Sequence, residues 1–388
     1  MNSNPQQKNK VSKNEPKLRF EGFCGEWREK KLGEVLKIGS GRDYKHLEVG
    51  DIPVFGTGGY MLSVDKALYS GETVFVGRKG TIDKPFYYNG KFWTVDTLFY
   101  TYDFEGITPK FTNLIFQQIN WKKYNEASGV PSLSKATIEK IKINIPQKPE
   151  QQKIASFLTS VDEKIEQLKN KKSALEKYKK GIMQKIFSQQ IRFKDENGKN
   201  FPNWEEKKLG EVCDYKNGGS FESDVMENGK YNLITLNSID IKGNLKNNHK
   251  TVGFADWFLS KDDLIMVLSD VAHGNFLGLV DIIPENDKYV LNQRMGLLRK
   301  TDNNIDLVFL RKFINHNQRY FKRHGQGSSQ QNLSKGDILK FEIQFPIIKE
   351  QQKIASFLTS LGKSIELKQQ QITQAQQYKK GLMQGLFV

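Results

Sequence analysis

The residues of this sequence best suited to binding chemistry are cations on turns and amides on a loop. Gly77-Arg78-Lys79-Gly80 lies between two β-like runs, Val74-Phe75-Val76 and Phe86-Tyr87-Tyr88. Glycines let a backbone approach closely, and two cations on such a turn suit phosphate positioning more than base reading. A solvated hairpin tip has the same composition. Gln326, Gln330, Gln331 and Asn332 form a run of amides in a polar loop. Amides pair well with adenine in a major groove, although polar loops are also simply polar. Arg294, in Leu291-Asn292-Gln293-Arg294, is a further cation candidate. Two basic pairs follow an aromatic residue at the ends of expected helices, Trp121-Lys122-Lys123 and Phe321-Lys322-Arg323. Phosphate contact would account for them, and so would the helix dipole alone.

Residues for bond-making chemistry do not assemble into a motif. An amino-methyltransferase needs an Asn/Asp-Pro-Pro-aromatic loop to hold an extruded base, and none of the 11 prolines adjoins another. No GxxxxGK[ST] occurs, so no P-loop is available for ATP. Phe55-Gly56-Thr57-Gly58-Gly59 lacks the spacing of a cofactor turn and reads as a tight loop. Asp162-Glu163-Lys164 holds nuclease-like residues but sits on an expected helix, where a solvated face explains it. The histidines, His46, His249, His273, His316 and His324, show no ligand spacing. Cys24 and Cys213 form no CxxC, which argues against both a zinc site and a disulfide framework.

The elements that must position these residues come from a duplicated chain. The string EQQKIASFLTS fills positions 150–160 and recurs two hundred positions on, at 350–360. KYKKGIMQKIF (177–187) answers QYKKGLMQGLF (377–387), Leu133-Ser134-Lys135 answers Leu333-Ser334-Lys335, and Pro146 answers Pro346. Nearer the amino terminus the offset shortens: Trp27 and EKKLGEV (29–35) match Trp204 and EKKLGEV (206–212). Between these fixed ends the middles are unlike. GETVFVGRKGTIDKPFYY has no twin in LIMVLSDVAHGNFLGLV. Two different recognition tasks on one frame would give this pattern, and so would drift of surface loops.

The fixed ends read as long helices. Ile154, Leu158, Val161, Ile165, Leu168, Leu175, Ile182 and Ile186 step by fours and threes, with Lys172 and Lys179 in the seam. The second copy gives Ile354, Leu358, Leu361, Ile365, Ile372, Ala375, Leu382 and Leu386, with Lys368 and Lys379. This is a heptad pattern free of proline. A helix of that length, about 57 Å, needs a mate. Its own copy is the obvious one, entered so as to run antiparallel under a pseudo-two-fold. Seam lysines would cost stability and fix register. The alternative is two helices each docked on its own domain.

The middles read as α/β domains. Strands are expected at Val74–Val76, Phe86–Tyr88, 97–100, 264–268, 277–280 and 295–298, with helices from Lys110 to about Lys123 and from Asp306 to about Arg323. The fold class is therefore α+β. Its expected divisions are a disordered basic tail (1–17), a domain (18–146), a helix (147–190), a second domain (191–346) and a second helix (347–388). The net charge of +16, from 60 Lys and Arg against 44 Asp and Glu, makes a polyanion a natural partner, although many basic proteins bind none. The amino terminus lacks the apolar core of a secretory signal, and no apolar run approaches membrane-spanning length. A reducing cytoplasm is the expected compartment.

The order Trp-x4-Leu-Gly-Glu-Val, variable domain, Leu-Ser loop, Ile-Pro or Phe-Pro, then Glu-Gln-Gln-Lys-Ile-Ala helix, performed twice, resembles the specificity subunit of Type I restriction-modification enzymes. The match covers essentially everything after the tail. The resemblance implies two target recognition domains, each reading half of a split double-stranded DNA site. It implies helices that space these domains and dock two modification (adenine methyltransferase) subunits. Restriction subunits, with translocase and endonuclease activity, would join that core. S-adenosylmethionine, ATP and magnesium would then sit on partner subunits, leaving this chain non-catalytic. Two other readings stay open. A methyltransferase or nuclease acting alone would transfer methyl groups or cut DNA as the purified chain. A coiled-coil scaffold whose domains bind protein would show no sequence-selective, salt-sensitive DNA binding.

Overall fold

The computed structural model describes residues 14–271 and 275–388. The expected tail lies outside the described residues as far as residue 13, and so does His273. The chain forms two compact units, Met1–Asn170 with Lys368–Val388, and Lys171–Leu367.

The first unit runs β1 (Arg28–Lys31), β2 (Lys37–Ser40), β3 (Val49–Gly56), β4 (Gly59–Val64), β5 (Tyr69–Gly77), β6 (Phe86–Thr94), β7 (Leu98–Tyr102), α1 (Pro109–Gln118), α2 (Lys135–Glu139), β8 (Lys142–Ile145) and the start of α3 (Lys148–Phe187). Six strands form one sheet in the order β2-β7-β5-β6-β3-β4. Its pairs are antiparallel except β3 with β6. Alternate residues of β5 serve its two faces, as the period of a strand requires. Val74 and Val76 join Phe111 and Leu114 of α1 in one core, while Phe75 meets Phe55, Phe92 and Leu98 on the other face. β1 and β8 pair beside this sheet.

The second unit runs β9 (Glu205–Lys208), α4 (Leu209–Val212), β10 (Cys213–Asn217), β11 (Val225–Met226), β12 (Tyr231–Ile234), β13 (Lys250–Val252), β14 (Leu264–Val267), β15 (Ser269–Val271), β16 (Val280–Ile282), β17 (Tyr289–Leu291), β18 (Met295–Lys300), α5 (Leu307–His316), α6 (Gln318–His324), β19 (Gln330–Asn332), α7 (Lys335–Leu339), β20 (Glu342–Phe345) and α8 (Ile348–Leu386). Its main sheet, β10-β18-β14-β16, repeats the order β2-β7-β5-β6 of the first. The unlike middles therefore share a frame. What differs is the addition: β3 and β4 extend the first sheet, whereas β11-β13-β12-β17 make a separate sheet in the second unit.

Three local expectations need correction. The helix expected from Asp306 to Arg323 is two helices, because Asn317 leaves helical geometry (φ −94°, ψ 21°) and its side-chain amide donates to the Phe313 carbonyl at 2.9 Å. The helix expected from Lys110 to Lys123 ends at Gln118, and Trp121–Tyr124 forms a 3-10 turn held by Trp121 Nε1 donating to the Phe116 carbonyl. The run 277–280 is mostly a turn about Gly278 (φ +75°), with β16 beginning at its last residue.

The repeated Leu-Ser-Lys has a local cause. Leu133 and Leu333 are buried, and Ser134 and Ser334 cap α2 and α7 by accepting from the amides of Thr137 and Asp337. Such caps are worth about 1 kcal/mol each.

The long helices pair antiparallel within each unit. In the first, Ile154 and Leu158 near the start of α3 share a core with Met383 and Leu386 near the end of α8, and Lys379 meets Asp162 at 2.8 Å. In the second, Ile354 and Leu358 share a core with Ile186. Val161, Ile165, Leu168, Leu361, Ile365 and Ile372 are buried or half-buried, as the heptad pattern requires. The seam lysines are half-buried too, and the heads of three reach polar partners: Lys172 to Glu176, Lys368 to Gln371 and Lys379 to Asp162.

Candidate nucleic-acid interface

Both main sheets end, past β5 and past β14, in the same arrangement of loops. In the first unit the Leu133 amide donates to the Arg78 carbonyl at 2.8 Å, and the Arg78 amide donates to the Thr97 carbonyl at 2.8 Å. In the second, Leu333 donates to Leu268 at 2.9 Å and Leu268 to Arg294 at 3.0 Å. Arg78 thus corresponds to Leu268 and Thr97 to Arg294. One residue farther along, Lys79 bridges Ser132 and Ser269 pairs with Asn332.

In the first unit this junction gathers the candidate cations. Lys79 is exposed. Arg78 is half-buried, its guanidinium 6.0 Å from the centre of the Phe99 ring and donating to the Asp96 carbonyl at 3.3 Å. Lys122 meets Asp83 of the same β5–β6 loop at 3.2 Å, with both side chains open to solvent, and Lys123 beside it is exposed. Glu126 is exposed but engaged: hydrogen bonds from Thr137 and Ser134 hold its carboxyl below the usual range. Its negative charge is spent on the start of α2.

In the second unit the amides dominate. β15 and β19 pair Ser269 with Asn332, Asp270 with Gln331 and Val271 with Gln330. Gln326 and Asn332 exchange backbone hydrogen bonds of 3.0 and 2.9 Å, closing a hairpin. Gln330 Nε2 donates to Ser269 Oγ at 3.3 Å and to Asn332 Oδ1 at 3.1 Å, so these amides are ordered before any ligand arrives. Asp270 is spent on the Val271 and Phe276 amides. Arg294 is exposed and lines a cavity of about 130 Å³ with Glu222, Thr235, Asn237, Lys250 and Asn292. Lys322 donates to Asn275 Oδ1 at 3.1 Å, and Arg323 is exposed at the end of α6.

Among the described residues no three of His, Cys, Asp and Glu stand where they could share a metal ion. The described histidines pack on aromatic rings: His46 on Trp93, His249 on Tyr289, His316 on Phe187 and His324 on Tyr320. Burial holds His249 and His316 below the usual imidazole range. It pushes the Cys213 thiol up to about 12, which keeps it protonated. No described helix is long and apolar enough to cross a membrane.

Sequence reasoning missed one repeated group. Arg19 grips Glu150 through Nε and Nη2 at 2.9 and 2.8 Å, and Arg192 grips Glu350 the same way at 3.2 and 2.6 Å. Gln151 donates to the Gly106 and Pro146 carbonyls and accepts from the Thr108 amide. Gln351 does the same with Asn304, Pro346 and Asp306. The short match Leu18-Arg19-Phe20 to Ile191-Arg192-Phe193 was the available signal. The identical Glu-Gln-Gln strings thus fasten each long helix to the domain before it.

Known proteins share this plan. The family model described as the Type I restriction modification DNA specificity domain matches residues 25–177 and 202–377. The Type I restriction enzyme MjaVIII specificity subunit of Methanocaldococcus jannaschii is 29% identical over 292 residues, 70% of this chain and 67% of that protein. The putative MjaX specificity subunit of the same organism is 26% identical over 282 residues, 69% and 64% of the two chains. The chain thus spans about two thirds of the length of these relatives. Among solved structures, the S subunit of a Type I restriction-modification system from M. genitalium matches with a TM-score of 0.64 at 18% identity, covering 96% of this chain and 99% of that one. The HsdS subunit from Thermoanaerobacter tengcongensis matches at 0.50 and 14%, covering 93% and 96%. With its frame present twice and the family model matched twice, the chain belongs to the Type I restriction modification DNA specificity family.

Proposed function

We propose that this chain reads a bipartite double-stranded DNA site and directs partner subunits to it without doing chemistry itself. The observation that carries this reading is one sheet order ending twice in the same loop junction, lined with different side chains. A common frame with Arg78 and Lys79 in one copy and Gln330, Gln331 and Asn332 in the other suits two half-sites of different sequence. Residues 18–146 read one half and residues 191–346 the other. The long helices space them and carry two adenine methyltransferase subunits, with restriction subunits joining that core. S-adenosylmethionine, ATP and magnesium belong to those partners, as the likeness to specificity subunits supports.

The test is exchange of residues 18–146 for the matching segment of a relative, followed by mapping of methylated adenines in host DNA. One half of the methylated motif should change and the other stay. A change in both halves, or in neither, would overturn independent reading.

A further inference from the structure

We propose that Val130 and Val271 are base-reading residues, each meeting the 5-methyl group of a thymine in the half-site of its own domain. This rests on the DNA-reading function proposed above. The two side chains are 67% and 61% exposed, although both stand at the ordered loop junctions. In the second domain Val271 faces Gln330 across the β15–β19 ladder. Counting back from the shared leucines, Leu133 and Leu333, Val130 holds the place of Gln330. Counting on from Arg78 and Leu268, Thr81 holds the place of Val271. Each junction therefore carries one valine and one hydrogen-bonding side chain at the same two positions, with the roles exchanged.

The loop that presents Val130 is fixed in advance, and Val271 is placed by its pairing with Gln330. Asn125 Oδ1 accepts from the amides of Ser132 at 2.8 Å and Ala127 at 3.2 Å, and its Nδ2 donates to the Ala127 carbonyl at 2.7 Å. Glu126 donates to the Ser132 carbonyl at 2.9 Å, and Gly80 to the Pro131 carbonyl at 2.9 Å. A branched aliphatic side chain held in water on an ordered loop returns nothing to folding, and its hydration cost is recovered only on contact with another apolar group. One valine among Arg78, Lys79 and serines is too small a patch for protein docking. In a major groove the thymine methyl is the apolar feature that distinguishes a base pair. The neighbouring cations would hold the backbone while the valine meets that methyl.

The experiment uses the chain assembled with its modification subunits and duplexes of the mapped motif in which each thymine in turn is replaced by deoxyuridine. The unsubstituted complex should lose about three- to tenfold in affinity at one thymine of each half-site, the scale of one buried methyl or a little more. Val130→Ala should lose about as much on the natural duplex and cease to distinguish thymine from uracil in the half-site of the first domain alone. Val271→Ala should do the same in the other. Both positions are exposed, so neither change opens a core. Indifference to uracil at every position, or undiminished discrimination in the alanine variants, overturns the assignment while leaving motif recognition standing. Absence of any motif-selective binding removes the DNA-reading function and this assignment with it.

Discussion

The Arg192 guanidinium holds both oxygens of the Glu350 carboxylate, and Trp204 Nε1 donates to one of the same oxygens at 3.1 Å. The side chain of Glu350 is fully buried. In the first unit Arg19 holds Glu150 alike, but Trp27, the counterpart of Trp204, has a buried Nε1 without a partner among the described residues. Removing one member of a buried pair leaves the other charge uncompensated, at about 3–5 kcal/mol. Glu350→Ala should therefore lower stability toward denaturant by about 3 kcal/mol or more. Glu150→Ala should cost about 1 kcal/mol less, since no tryptophan hydrogen bond is lost with it. Equal losses in urea unfolding of the two variants would contradict this difference.

The candidate cations should separate by exposure. Lys79→Ala should weaken binding about equally on all sequences and flatten the salt dependence by roughly one unit, as loss of one phosphate contact does. Arg78, resting against Phe99, should flatten it less. Asp83→Asn removes the partner of Lys122 and should strengthen binding about twofold, with little effect on stability because the pair is exposed. Affinity measured against salt concentration checks all three. A changed motif with an unchanged slope would mean that Lys79 reads bases.

Lys312 gives a pH dependence. Burial first, then the neighbouring charges of Arg311 and Lys179, bring its pKa down from 10.5 to about 8, against the opposing pull of Asp281 and Asp306. The folded form disfavours the ammonium, so the unfolded chain binds more protons in this window and stability rises with pH. The penalty is full below pH 8 and disappears as pH climbs toward 10.5. Lys312→Met should stabilise the second unit at pH 7 by about 1–2 kcal/mol, a figure reduced for partial exposure. The gain should vanish near pH 10.5. A gain independent of pH would point to packing instead.

The long helices were legible because a heptad pattern is local: Ile154 to Leu168 can be counted along the chain, and each falls on the buried side. The ends of the domains were legible for the same reason, as Leu133-Ser134 announces a buried leucine and a cap. Most strands of the middles were legible too, but their order was not. The order β2-β7-β5-β6 depends on pairings such as Lys37 with Tyr102 that no periodicity records. The Arg19–Glu150 pair spans 131 positions, and Arg19 looks like any surface arginine. Asn317 breaks a helix through its own side-chain amide, while the apolar face of Leu310, Ile314 and Phe321 continues past it. The junctions that align Arg78 with Leu268 became visible only through backbone hydrogen bonds, since the side chains there are unlike.

Spacing is the remaining consequence of the helices. Asp162 of α3 faces Lys379 of α8, so an insertion in α3 alone would shift one helix against the other. Matched insertions of four residues, after Lys169 in α3 and before Ile372 in α8, lengthen both together. Each adds about 6 Å and a little over one turn, leaving the seam about 40° from a whole number of turns, a stutter that coiled coils absorb by local unwinding. If the helices act as a ruler, the unread gap between half-sites should grow by one or two base pairs, at about 3.4 Å per pair. Both half-sites should remain unchanged. Motif mapping of methylated host DNA in the insertion variant reads this directly. Full activity with an unaltered gap would show that each helix serves only its own domain.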